Sequence, residues 1–244
     1  LSTDTWDEET KLKYYNETEP NNALWNYYFN KQILHYLAEQ NVEAFEMSKG
    51  AEQYISAAFG SYTTCLFYFY NSLIMLAIYS EKSASDQKAM LKKVNANQKK
   101  LKKWMGYCPA NFAHKYYLVE AEKRRVLEQP QDASKLYDPA IAAASESEYL
   151  QEDALANELA AKFWLQMGKD DFAGLYMQKA YYLYNIWGGK VKTAQLENSY
   201  RHLIRNKAQV GSVMHTISET SSGSSNSNEL LDLASILKAS QTMS

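Results

Sequence analysis

The sequence predicts an all-α protein made of antiparallel helical hairpins stacked side by side, and three observations predict it. Only four prolines and nine glycines stand in 244 residues, so few positions can break a helix. Apolar residues recur at steps of three and four through most of the chain, the spacing that gathers them on one helical face. Small residues return about 40 residues apart at matching places in successive hairpins, which is how repeat architectures announce themselves. With 46% of residues apolar or aromatic, the chain can bury a sizeable core.

Along the chain, "ILHYLAEQN" (residues 33–41) followed by Ala44, Ser48 and Ala51 is the first and loosest hairpin. Residues 53–80 carry no charge, and "LFYFYNSLIMLAIY" within them would suit a membrane span or a helix buried on most sides. The second reading is preferred. Gly60, Ser61, Thr63, Thr64, Asn71 and Ser72 interrupt the run, and Glu52 and Glu81 bracket it where a span would carry Lys or Arg. Next, "QKAMLKKVNANQKKLKKW" (87–104) holds seven lysines and no acid, while Met90, Leu91, Val94, Leu101 and Trp104 keep an apolar side. Lys92, Lys93, Lys99, Lys100, Lys102 and Lys103 on this basic amphipathic helix are the candidate partner-binding residues.

The clearest hairpin is "LAAKFWLQMGKDDFAGLYMQKAYYLYNIWGG" (159–189). Ala173, Tyr176, Met177, Ala180, Tyr184 and Trp187 fall on one helical face, and Ala160, Ala161, Phe163, Trp164 and Met167 make the preceding helix. Gly168 can end that helix in a left-handed conformation, and Asp170 can cap the next. Helices that cross closely need small residues at the contact, so Ala161 and Ala173 are expected face to face. The register Trp164, Gly168, Ala173, Met177, Ala180 resembles the core of a tetratricopeptide repeat. Forty residues earlier Ala121, Ala133, Tyr137 and Ala140 occupy the corresponding places. Pro139 there implies either a kink or a helix that starts at Pro139 with Asp138 as its cap. The repeat domain is expected over 1–210, a Ser/Gly/Asn-rich linker over 211–228, and a helix leading into a following domain over 229–244.

A formal net charge of −2 disfavours a dedicated nucleic-acid binder. Cys65 and Cys108 form no CxxC pair, which points away from a disulfide framework or zinc site and towards a cytoplasmic setting. No phosphate loop, dinucleotide fingerprint, nucleophile elbow or HExxH motif occurs, so no cofactor is expected. His35, His114, His202 and His215 are isolated, and the acidic neighbours Glu120 and Glu122, Glu146 and Glu148, and Glu152 and Asp153 are expected on solvated faces.

Residues 136–200, followed by a polar linker and "LDLASILKASQTMS", resemble the tetratricopeptide-like helical region of large bacterial multi-sensor signal-transduction histidine kinases. "YFNKQILHYL" and "FYFYNSLIMLAIY" resemble its earlier helices. In that family the region lies between an AAA-type ATPase domain and a GAF domain, and Asp232 matches the entry helix into GAF. The resemblance implies a non-catalytic connector in a cytoplasmic kinase, with other domains of the same polypeptide or separate proteins as partners. No catalytic motif of the family falls on these residues. A dimer contact through Leu230, Leu233 and Leu237 is a further expectation. A free-standing adaptor and the repeat region of a transcription regulator remain alternatives.

Overall fold

Each helix ends where local chemistry stops it, and the stops keep time. The computed structural model describes residues 8–18 and 21–204, and every regular element among them is helical. The α-helices are α1 (Glu8–Thr18), α2 (Asn21–Leu37), α3 (Asn41–Gln53), α4 (Tyr62–Ala77) and α5 (Ala84–Tyr107), then α6 (Pro109–Val126), α7 (Pro130–Glu146), α8 (Leu150–Gln166), α9 (Asp170–Trp187) and α10 (Lys190–Ser199). Short 3-10 turns lie at Ile55–Ala58 and Tyr79–Glu81. The expected linker 211–228 and terminal helix 229–244 lie outside the described residues.

Four successive helices, α6 to α9, run into a left-handed residue: Glu128, Glu148, Gly168 and Gly188, each twenty positions after the last. At each turn the left-handed residue donates its N–H to the carbonyl three back, and the next residue donates to the carbonyl five back. Gly168 bonds Leu165 and Lys169 bonds Trp164, both at 2.9 Å. These bonds satisfy carbonyls that a helix end leaves without partners. The turn after α2 repeats the pattern at Glu39, with Gln40 bonding His35. Five residues beyond every such turn comes a buried side chain: Ala44, Ala133, Asp153, Ala173 or Thr193. Two turns make the 40-residue hairpin that the alanine spacing predicts.

Two local expectations need correction. Lys169, not Asp170, occupies the N-cap position of α9, because the turn at Gly168 uses the Lys169 N–H. Asp170 is the first helical residue, where its charge faces the positive end of the helix dipole. Likewise Asp138 is not a cap. Helix α7 runs unbroken from Pro130 through Pro139 to Glu146, and the Asp138 carboxylate accepts a 2.6 Å hydrogen bond from the Tyr176 hydroxyl. Pro139 is exposed, so the carbonyl it deprives of a partner can turn to water.

Helices α2, α4, α6 and α8 pack on one another in a row, and α3, α5, α7 and α9 pack between and outside them as a second layer. The arrangement is an α-solenoid-like stack of antiparallel hairpins. Inner helices are covered on several sides, which is why α4 buries Phe67, Phe69, Leu73, Ile74 and Leu76 together. The apolar run of α4 is therefore core, while Phe59 and Tyr62 ahead of it are exposed, and no described helix is long and apolar enough to cross a membrane. Ala161, Ala173, Met177 and Ala180 are all fully buried in one cluster with Tyr184, while Ala121, Ala133, Tyr137 and Ala140 belong to the neighbouring one. Trp164 is half-buried and packs against both. Ala44, Ser48 and Ala51 are buried in the first hairpin, where a Cβ added to Gly50 would sit 2.5 Å from the Tyr28 ring. Trp187, expected on the buried face of α9, is 44% exposed at the helix end.

Candidate functional site

The inner layer closes on itself. The turn after α2 reaches residues more than a hundred positions away on α8 and α10. Lys192 Nζ donates to the Leu37 carbonyl at 2.8 Å, and Gln195 donates to the Ala38 carbonyl at 3.3 Å. Both carbonyls belong to the end of α2, so α10 caps that helix with side chains. Lys162 Nζ on α8 meets Glu39 at 2.8 Å, and Glu39 is the left-handed residue of the turn.

Glu158 organises this closure. It is 1% exposed, and its carboxylate takes Lys162 at 2.6 Å, Lys192 at 2.7 Å and the Tyr184 hydroxyl at 2.8 Å. Burial alone would raise its pKa, but the two ammonium groups outweigh burial and hold it at about 2. For Lys162 burial is likewise overridden, by Glu158 and Glu39, and its pKa rises. In Lys192 burial prevails and its pKa falls. Beside these groups Arg125 makes two bonds of 2.7 and 2.9 Å to Glu122, whose other oxygen accepts from Tyr137 at 2.6 Å. Arg125, Lys162, Lys192, Glu39, Glu122 and Glu158 together line a cleft of about 240 Å³, with Tyr36, Gln166 and Tyr200 on its walls. Three positive groups face three negative ones, so the cleft is polar but balanced.

A second cluster lies on the same helix and is buried. Lys115 is 0% exposed, with Nζ 3.1 Å from Glu152 and 2.6 Å from His114 Nε2. His114 Nε2 thus faces both Lys115 Nζ and, at 3.2 Å, a Glu152 oxygen, and only Nδ1 is turned elsewhere. That Nδ1 has no partner within the protein. Burial, the largest effect, lowers the His114 pKa and keeps the ring neutral. Tyr149, Tyr62 and Phe69 rings stand 4.3, 5.4 and 6.0 Å from the Lys115 ammonium, an aromatic surround that suits a desolvated cation. Burial pushes the nearby Cys65 thiol up to about 12. Nucleophile, base and acid types thus meet here, with Cys65, His114, Lys115 and Glu152 each no more than 4% exposed, and Glu152 also lines a cavity of about 180 Å³ beside Tyr70, Tyr184 and Trp187.

Of the predicted lysines, Lys92, Lys99, Lys100, Lys102 and Lys103 are exposed on α5. Lys93 is ion-paired with Glu52, and the Lys100 ammonium lies 3.6 Å from the centre of the Tyr68 ring. The apolar side holds as expected, with Met90, Val94 and Leu101 buried. Sequence reasoning missed that Asn97 and Gln98 are buried beside them. Asn97 bonds Asn71 at 2.9 Å and Ser72 at 3.1 Å, and Asn71 bonds Ser48 at 2.7 Å, giving a polar ladder across three helices.

The acidic neighbours expected on solvated faces are in fact buried: Glu120 is 9% exposed, Glu122 4%, Glu152 2% and Asp153 2%. Only Glu146 and Glu148 lie at the surface. The error has one cause. Helices α6 and α8 belong to the inner layer, and a face that would be solvated in an isolated hairpin there meets another helix or the cleft. The twenty-residue register carried a signal, since Asp153 falls midway between Ala133 and Ala173, both buried positions. Phe172, Leu175, Tyr182 and Ile186 were also missed; they form an exposed apolar ridge on the outer face of α9.

Fold and cleft define a class, the all-α helical-repeat protein. Compared with family models, with curated proteins and with solved structures, the chain has no match.

Proposed function

We propose that the chain is a non-catalytic helical scaffold, and that it connects the ATPase and sensor modules of a large cytoplasmic signalling kinase. One observation supports the scaffold reading. The side chains with catalytic chemistry are engaged in buried contacts, whereas the features left open, the cleft, the lysine face of α5 and the apolar ridge of α9, are of kinds that meet other proteins. The connector reading is supported by the resemblance of 136–200 and 229–244 to the corresponding kinase region. A free-standing adaptor would carry the same core, and the two readings differ in whether ATPase and sensor modules belong to the same polypeptide.

Titration with Mg-ATP tests the non-catalytic half, with no saturable heat and no turnover expected. Hydrogen exchange tests the connector half, comparing the chain alone with the chain joined to its neighbouring modules. Added protection should concentrate in the turn after α2, in α8 and in α10. Saturable ATP binding with turnover would sink the first claim, and unchanged exchange throughout would sink the second.

A further inference from the structure

The lysines of α5 are not distributed as a solvated face needs. Lys88, Lys92, Lys99, Lys102 and Lys103 recur at steps of four, seven, three and one, so they share one side of the helix, and all five are exposed. At 1.5 Å per residue the row is about 22 Å long. Among the described residues no carboxylate is within ion-pair distance of any of them, although on the adjacent face Lys93 finds Glu52. The spacings Lys88 to Lys92 and Lys99 to Lys103 place like charges one turn apart, an arrangement that destabilises a helix. The fold gains nothing visible in return.

We infer that this row is a docking surface for an acidic segment of a protein, whose carboxylates line up along the five lysines. The inference deepens the scaffold reading, which takes the lysine face of α5 as a surface that meets proteins, by naming the chemistry of the partner. The shape of the patch selects the partner. It is a narrow stripe that widens at Lys102 and Lys103, with exposed Lys100 on its flank, and its borders carry carboxylates, Glu52 in its pair with Lys93 on one side and Glu120 with Lys123 on the other. Lys123 also donates to Asn95 of α5, which fixes that border beside the row. A flat anionic membrane or a nucleic-acid duplex would press on those borders as well as on the row, whereas a single acidic strand or helix need not. Between Lys88 and Lys103 the other exposed positions are Ala89, Asn95, Ala96 and Lys100, with no large apolar side chain among them; exposed Tyr107 stands one turn beyond the last lysine. The small residues leave the row open to close approach.

The test uses the full chain and two labelled helical peptides of one composition, one with its glutamates in a single row and the other with them spread around the helix. Fluorescence anisotropy should show the rowed peptide binding several-fold more tightly, with affinity falling as salt is raised. The variant K92E/K99E/K103E, at exposed positions, should lose about tenfold or more in affinity, equivalent to about 1.4 kcal/mol. K135E on α7, checked alongside it by circular dichroism, should bind as the parent does. The inference is overturned if the two peptides bind equally, if neither binds, or if the folded triple variant binds as well as the parent. It is equally overturned if vesicles containing phosphatidylserine or a DNA duplex bind more tightly than the rowed peptide.

Discussion

Two carboxylates on α8, Glu152 and Glu158, stand six residues apart and hold nearly the same chemistry in different settings. Glu152 pairs with Lys115 and His114 under aromatic rings, within contacts that join adjacent inner helices. Glu158 pairs with Lys162 and Lys192 beside the open cleft, and through them it ties α8 and α10 to the end of α2. The difference teaches that burial of a charge has two uses in this stack. One fixes neighbouring helices within the packed interior. The other joins distant parts of the chain where water stands close by.

The more deeply buried pair, Lys115 with Glu152, should therefore break harder. Glu152→Ala leaves the Lys115 ammonium buried without its counter-charge and is expected to cost about 3–5 kcal/mol, read from the urea midpoint. Replacing both charges, in K115M/E152L, should cost less than the single change, because two uncharged side chains leave no stranded ion. A double variant worse than the single one would show that the aromatic surround requires the cation.

Acid titration separates the two carboxylates, both held below the ordinary range by their cations, from the imidazole of His114. Glu158 has a folded-state pKa of about 2 against an ordinary value of 4.5, so its contribution is full above about 4.5 and disappears as pH falls towards 2. Its size is on the order of 3 kcal/mol. The imidazole of His114 acts earlier and through the opposite charge state. Its folded-state pKa lies below 6.5, so the unfolded chain takes up the proton first and stability declines as pH drops below about 6.5. In His114→Phe the first decline should vanish and the second remain. A single loss below pH 4.5 in the parent would contradict the His114 assignment.

Lys192→Met tests the closure with a smaller expected effect, about 1.5–3 kcal/mol, since Glu158 keeps Lys162. Hydrogen exchange should quicken in α10 and at the end of α2, while α6 and α7 stay protected. Uniform quickening would mean that the closure is not a separable unit. Smallest is Glu148→Gly. The left-handed conformation at this turn, φ 60°, strains any side chain, so the glycine should stabilise by about 1 kcal/mol or less without favouring either cluster.

The repeat was legible because packing of helices leaves a periodic trace: Ala121, Ala133, Ala140, Ala161, Ala173 and Ala180 are small where helices cross, and all are fully buried. The clusters were not legible, because Glu152 and Glu158 look like ordinary helical acids until the second layer is placed over them. Their partners Lys115 and Lys192 come from other hairpins, and no local spacing encodes that meeting. The lysine face of α5 was visible for the converse reason, since a row on one exposed side depends on a single helix.

The even spacing of the turns gives the closure a further property, that of a gauge. Helices in contact lie about 8–10 Å apart, so each two-helix unit carries the stack forward by a fixed step. Glu39 meets Lys162 and Lys192 only because a set number of steps separates them. A copy of the 40-residue unit inserted at Glu128 would preserve every local turn and every alanine contact, yet carry the two lysines beyond the reach of Glu39. Removal of a single twenty-residue helix would reverse the direction of all that follows. Length between α2 and α10 is thus checked by the bonds at Glu39, and a protein with one unit too many would lose them.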